Sequence, residues 1–292
     1  GCGGSQPPIG APAMPQSRAI AQDGARGKSW MLADAKNSDL YYLADEYSVV
    51  VFNYAGKRVG AIEQLISPGV CSDSHGDVWI TSQGAISEYA HGGTTPIAEL
   101  TAPPSYQTVS CAVNPTTNDL AVTLSPNGVA IFPNASGEPQ TYVSSERVEF
   151  AYCAYDGGGN LYVDGRHSHH EGLLEELPRG GNSLIPLNIG KKLDGPGGLQ
   201  WDGQFLAVGD ERSNVVYQVA IESGFGTIES TLRFPVWRRH QNYQFWIHNG
   251  VIAFMYSRLY YGFWNYPAGG HEIHKFRYAM GTTGGNALSL AP

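Results

Sequence analysis

The strongest constraint in the sequence is a recurrence. Six strand-like segments, each preceded by a turn of Asn, Asp or Gly, return at nearly fixed intervals: SDLYYLAD (38–45), GDVWITSQ (76–83), NDLAVTLS (118–125), GNLYVDGR (159–166), GQFLAVGD (203–210) and NGVIAFMY (249–256). Their anchor residues Leu40, Val78, Leu120, Leu161, Phe205 and Val251 are 38, 42, 41, 44 and 46 residues apart. A short unit repeated at this period cannot bury its apolar faces alone and must stack on its neighbours. The spacing is that of one four-stranded blade. The expected fold is therefore all-β, a six-bladed β-propeller with four antiparallel strands per blade.

Other parts of the unit repeat in step. Upstream of the anchors lie inner-strand segments ending in a turn: WMLADAKNSDL, GVCSDSHGDV, SCAVNPTTNDL, YCAYDGGGNL and GLQWDGQF. The first and third align without a gap, Trp30 opposite Ser110 and Asp34 opposite Asn114. Downstream, FNYAG (52–56), YAHGG (89–93), FPNASG (132–137), LPRGG (177–181) and YPAGG (266–270) read as hairpins into an outer edge strand, because Pro cannot donate to a ladder and Gly accepts positive φ. The C-terminal GGNALSLAP reads as the start of one more inner strand, closing the ring near KSWML at the other end of the chain. The Gly-x-x-x-Asp-like inner strand, the G-[ND]-[LV]-[YW]-[VI] second strand and the period together resemble the NHL-repeat propellers. Gluconolactonase-like, strictosidine-synthase-like and streptogramin-lyase-like families are among their relatives. The resemblance covers about residues 28–280. It implies the fold, and it implies two classes of function, since that superfamily holds both enzymes and pure binding scaffolds.

Composition agrees with an all-β chain: Gly (37), Pro (18) and Tyr (17) are turn and strand residues. With a net charge of −8 and no basic run beyond Arg238-Arg239, a nucleic-acid partner is excluded. No apolar run reaches the roughly eighteen residues of a membrane helix. Residues 1–27 are small, Pro-rich and without apolar periodicity, the composition of a flexible tether, so the propeller is expected over 28–292. Cys2 after a small residue, followed by such a tether, resembles the mature start of a bacterial lipoprotein. That resemblance implies a lipid on Cys2, a place in the cell envelope outside the cytoplasm, and membrane contact through the lipid alone. Of the remaining cysteines, Cys111 and Cys153 hold the same place in their units and Cys71 lies one position away. At most one disulfide can form among three. The crowding of inner strands around an axis accounts for small side chains there without any bond between them.

Loops between second and third strands, and those leading from one blade to the next, share one face of a propeller, where ligands usually bind. Five residues beyond each anchor lie Asp45, Gln83, Ser125, Arg166, Asp210 and Tyr256, a polar ring expected on that face. The inter-blade loops add Glu149, Asp194, Arg238, Arg239 and His240. The expected function is binding of a small molecule or a protein partner there, with the arginines favouring a carboxylate, phosphate or sugar acid. The alternative is a divalent-cation-dependent lactonase or related hydrolase. The gluconolactonase-like resemblance implies a cation held on the axis by carboxylates and an amide, for which Glu149, Asn242, Asp194 and Asp210 are the candidates. A streptogramin-lyase-like base would be His240 or His169, although the blade signature appears only as VWITSQ and lacks its acid.

The stretch DGRHSHHEG (164–172) is expected as a loop between the second and third strands of blade four, where His167, His169 and Glu171 could fold around zinc. Calcium or zinc are the metals these patterns allow. His271 and His274 are three apart in a strand and so face opposite ways. In the aromatic last blade, Tyr256, Tyr260 and Tyr261 offer a stacking platform for a sugar or peptide, beside their use in blade packing.

Overall fold

The computed structural model of the protein describes residues 28–66, 68–146, 148–168, 171–234, 244–257, 259–278 and 285–292. The tether, Cys2, His169, His170, Arg238, Arg239, His240 and Asn242 lie outside the described residues. Six antiparallel sheets, five of four strands and one of five, are arranged as the blades of a propeller. The second strands, Leu40–Ala44, Val78–Ser82, Leu120–Ser125, Leu161–Ser168, Leu206–Asp210 and Val251–Ser257, fall on the repeated segments. Alternation along each strand sends successive side chains to the two neighbouring blades. Tyr42 and Ala44 pack with Val78 and Ile80 of blade two, whereas Tyr41 and Leu43 pack with Tyr261 and Phe263 of blade six. The core is thus divided among the six blade-to-blade interfaces, and strands buried on both faces read as near-continuous apolar runs.

Blade one departs from the expected pattern. Its inner strand is not WMLADAKNSDL but the C-terminal Asn286–Ser289, which pairs antiparallel with the second strand, Leu40 opposite Ser289 and Leu43 opposite Asn286. Trp30–Met31 is instead a fifth, outermost strand, with Trp30 opposite Ala61 and Met31 opposite Gly60. Ala33–Asn37 is a 3₁₀ turn. The chain therefore closes the ring by pairing its C-terminal strand with SDLYYLA, not with KSWML. Side-chain size explains the choice: the axial position of Asn286–Ser289 is buried throughout, while the Trp30 indole sits on the rim under the Arg58 guanidinium, 5.5 Å from the ring centre.

Two further differences concern cysteines and register. Cys71 and Cys111 form a disulfide between the inner strands of blades two and three, with Cα atoms 5.5 Å apart. Packing alone accounts only for Cys153, which is buried and free. In blade five the second strand begins at Leu206, not Phe205, so every position counted from the anchor shifts by one.

Each junction between neighbouring inner strands carries its own polar or covalent clamp. Ser72 donates to the Leu288 carbonyl (2.7 Å) between blades two and one, and the disulfide joins two to three. Thr123 donates to the Ala151 carbonyl (3.1 Å) between three and four. Asp164 accepts from the Gly197 N–H (3.2 Å) between four and five. Gln200 donates to the Ile247 carbonyl (2.8 Å) and accepts from the Ile247 N–H (2.6 Å) between five and six. Gln244 and Asn286 close six to one, Asn286 N–H donating to Gln244 Oε1 (3.0 Å) and its side-chain amide to the Gln244 carbonyl (2.7 Å). Neighbouring inner strands share no ladder, so such clamps satisfy backbone groups that would otherwise be buried unpaired.

Candidate functional site: the axial channel

At the end carrying the second-to-third-strand loops, the expected ring is only partly a ring. Asp45 is half-buried and Gln83 exposed, the latter in a turn at φ +46°. Ser125 is half-buried and precedes a cis proline. Arg166 is paired with Glu149, both its Nε (2.8 Å) and Nη2 (2.6 Å) donating to Glu149 Oε2. Tyr256 leans toward the rim, its ring 5.3 Å from Trp264 and nearly parallel to Tyr260 at 6.2 Å. Of the other two tyrosines in that platform, Tyr260 is exposed and Tyr261 fully buried.

Asp210 is 1 % exposed and turned inward. It accepts from the Asp194 N–H (3.2 Å) and the Ser213 N–H (3.3 Å), while Asp194 accepts from the Ser213 hydroxyl (2.9 Å). Burial raises the Asp210 carboxyl above the ordinary range, against those donors. Counting from Leu206, the ring position of blade five is Glu211, a half-buried residue that the sequence reading passed over. Burial raises its carboxyl too, with Arg212 and Arg166 pulling the other way. The structure therefore joins Glu149 with Arg166, and Asp194 with Asp210, in two separate groups.

The histidine-rich stretch is mostly strand rather than loop. Leu161–Ser168 continues past Arg166, and the third strand begins at Glu171, with Arg166 opposite Gly172 and Ser168 opposite Glu171. Glu171 is engaged by Lys192 (2.6 Å), which holds its carboxyl below the usual range. His167 is exposed. Among the described titratable residues of the stretch the buried one is Asp164, whose Oδ1 accepts from Tyr152 N–H (2.7 Å) and Oδ2 from Gly197 N–H (3.2 Å). Complete burial pushes its carboxyl up to about 7, against the backbone donors. Thr81 and Thr123 hold the same repeat position and accept from Gly69 N–H (3.1 Å) and Ser110 N–H (2.9 Å), so Asp164 belongs to the framework.

The open space lies toward the other end. A chamber of about 390 Å³ occupies the axis, walled by inner strands of blades two to six and opening among the first-to-second-strand turns. Trp201, Trp246, Phe245 and Leu199 supply its apolar surface, with Gln200 and Gln244 as the clamping amides. A side groove of about 380 Å³ between blades five and six shares Trp201 and Asp202 with it. Asp202 is the turn acid of blade five. Burial works against its charge, but Gln204 N–H (2.9 Å), Phe205 N–H (2.7 Å), the Gln218 amide (2.8 Å) and the Tyr266 hydroxyl (2.8 Å) outweigh it, and the carboxyl is held below its ordinary value.

Asp73 is the corresponding acid of blade two and also lines the chamber. Its ligand atoms, with those of Asp77 and Glu88, lie within 4.8 Å of one another. The sequence signal for the chamber was the run of small inner-strand residues, Cys71, Ala112, Cys153 and Ala154. Small side chains there leave room as well as relieve crowding.

No protein-family model matches the sequence, and no curated protein sequence does. Solved structures do match. One from Bacteroides caccae, described as a protein of unknown function, is 12 % identical and superposes with a TM-score of 0.64 over 86 % of this chain and 98 % of that one. The Swd1 β-propeller domain of Myceliophteria thermophila is 10 % identical, with a TM-score of 0.58 and 89 % of each chain covered. A streptogramin B lyase is 15 % identical, with a TM-score of 0.54 over 83 % of this chain and 74 % of that one. The protein is a six-bladed β-propeller. Identities this low carry the fold alone, so chemistry has to be argued from this chain's own residues.

Proposed function

We propose that this propeller binds a small organic ligand in its axial chamber. The chamber supports the reading because its volume and its lining, largely aromatic and aliphatic with a few fixed amides, are those of small-molecule sites. Ala112, half-buried and packed on one side against the blade-four core, lines the wall and takes no part in a clamp, so Ala112→Trp should intrude on the space. Titration with neutral 1-naphthylmethanol, followed by tryptophan fluorescence, should show saturable binding to the wild type. At least tenfold weaker binding is expected in the folded A112W variant. Equal binding in both would refute the chamber.

The same proposal places the protein outside the cytoplasm, tethered through residues 1–27 and a lipid on Cys2. The Cys71–Cys111 disulfide supports an oxidising compartment. A second reading, the cation-dependent hydrolase, is favoured by one observation, the carboxylates of Asp73, Asp77 and Glu88 gathered beside the chamber mouth. Calcium or zinc copurifying with the protein, and lactone hydrolysis abolished by chelator, would establish it over simple binding.

A further inference from the structure

Two cavities share one wall, and their charged residues are all of one sign. Asp73 and Asp202 line the chamber, Asp202 also lines the side groove, and neither cavity is lined by a lysine or an arginine among the described residues. Asp77 and Glu88 stand beside Asp73 and extend the negative field behind the mouth. Trp201 and Trp246 present indole surface within the chamber, where low polarity strengthens attraction between a cation and both the carboxylates and the rings. At the other end, Arg166 and Arg212 are interleaved with Glu149 and Glu211, so the field there is mixed.

We infer that the chamber takes an organic cation, an amphiphile with an apolar body and an ammonium group, the body lying against Trp201 and Trp246 and the ammonium at the mouth between Asp73 and Asp202. The inference rests on the chamber reading and sharpens it to a ligand class. It also reverses the sign expected from the arginines of the opposite face, which favoured an acid. Asp202 is fit for the part: its donors hold it ionised well below neutral pH, so the attraction persists across the physiological range. His248 in the side groove is half-buried, its Nε2 2.8 Å from the Asn249 side-chain amide. The groove's amides, Gln204, Gln218 and Asn249, would accommodate a hydroxylated or amide-bearing extension of the same molecule.

Three probes with one ring system separate the outcomes: 1-naphthylmethyl-trimethylammonium, neutral 1-naphthylmethanol and 1-naphthylacetate, each titrated against the full chain by tryptophan fluorescence. At low salt the ammonium should bind about tenfold tighter than the alcohol, and the acetate more weakly than either. Raising salt should narrow that order, since a partly open mouth is screened. Asp73→Asn should remove most of the ammonium preference while leaving the alcohol unchanged. This variant keeps the fold, because Asp73 caps its turn by accepting from His75 and Asp77 N–H groups, and Asn114 caps the equivalent turn of blade three from Thr116 and Thr117. Asp202→Asn tests the second carboxylate and should act additively. Binding of the alcohol with no preference for the ammonium, or a preference untouched by both substitutions, overturns the cation inference and leaves the chamber standing. Failure of all three probes, or their indifference to A112W, removes the chamber and the inference together.

Discussion

Asp164 illustrates how a residue that looks catalytic in a sequence can be structural. It sits in the most chemically suggestive stretch of the chain and its carboxyl is pushed up to about 7, yet both oxygens accept backbone N–H groups and no solvent reaches it. Replacing it by Ala leaves the Tyr152 and Gly197 N–H groups buried without acceptors, a loss of about 1–3 kcal/mol for each. Asp164→Thr, the residue that serves at this position in blades two and three, should recover part of that loss. The pH dependence has a definite sign. Because the folded-state value is raised, the carboxyl's contribution is complete below the ordinary value of 3.8 and is lost as pH rises through about 7. Denaturant unfolding of wild type and Asp164→Asn between pH 4 and 8 should therefore show the wild type losing ground from pH 4 to 7, then a constant difference. A pH-independent difference throughout would mean that Asp164 is ionised at all these pH values. The sequence could not reveal this role, since His167 and Glu171 looked as chemically able as Asp164 and only the bulged inner strands of blades four and five give Asp164 its donors.

Strands and their clamps explain which parts of the fold could be read in advance. The second strands were legible because burial on both faces demands an apolar run, and a Gly or Asn turn marks each start. The inner strands were less legible, since axial positions select for size and clamping chemistry more than for hydrophobicity. WMLADAKNSDL aligned with SCAVNPTTNDL residue for residue and still went to the rim, because NALS offers small buried groups and an Asn that clamps Gln244. The anchor of blade five is Leu206 and not Phe205 because its turn, 202–205, is one residue shorter than those of blades two and four and carries its Gly earlier, so the ring residue is Glu211 and the buried Asp210 is not. The disulfide replaces a hydrogen-bonded clamp by a covalent one across a sequence separation of 40 residues. Chain-entropy reasoning assigns such a loop about 4 kcal/mol. The double variant Cys71→Ala, Cys111→Ala should lose roughly that much in denaturant unfolding, while Cys153→Ala is limited to the smaller effect of removing one buried thiol. Cys153 should also resist alkylation in the folded protein, since burial drives its pKa far up.

At the scale of the whole molecule, the propeller has two chemically different ends, and function depends on which end the ligand enters. The sequence favoured the loop-bearing end, because ligands usually bind on that face of a propeller and it carries Arg166, Glu149 and Asp210. In the structure those residues consume one another's charge or turn inward, and the described space gathers on the axis toward the opposite end, among the first-to-second-strand turns, where the inner-strand side chains are small. A signal for this was present in Cys71, Ala112, Cys153 and Ala154, but small residues on a strand have two readings, tight packing or open space, and only the radius of the ring decides between them. The two ends make opposite predictions. A double variant at the loop-bearing end, Arg166→Ala with Glu149→Gln, removes an exposed ion pair worth at most about 1 kcal/mol and should leave the fold intact. If the chamber is the site, that variant should bind the naphthyl ammonium probe within about twofold of wild type, because the altered charges lie at the opposite end of the propeller and are screened by solvent at ordinary salt. If it instead loses the probe while Ala112→Trp retains it, the ligand enters through the loop-bearing mouth and the chamber is only the space left between small side chains.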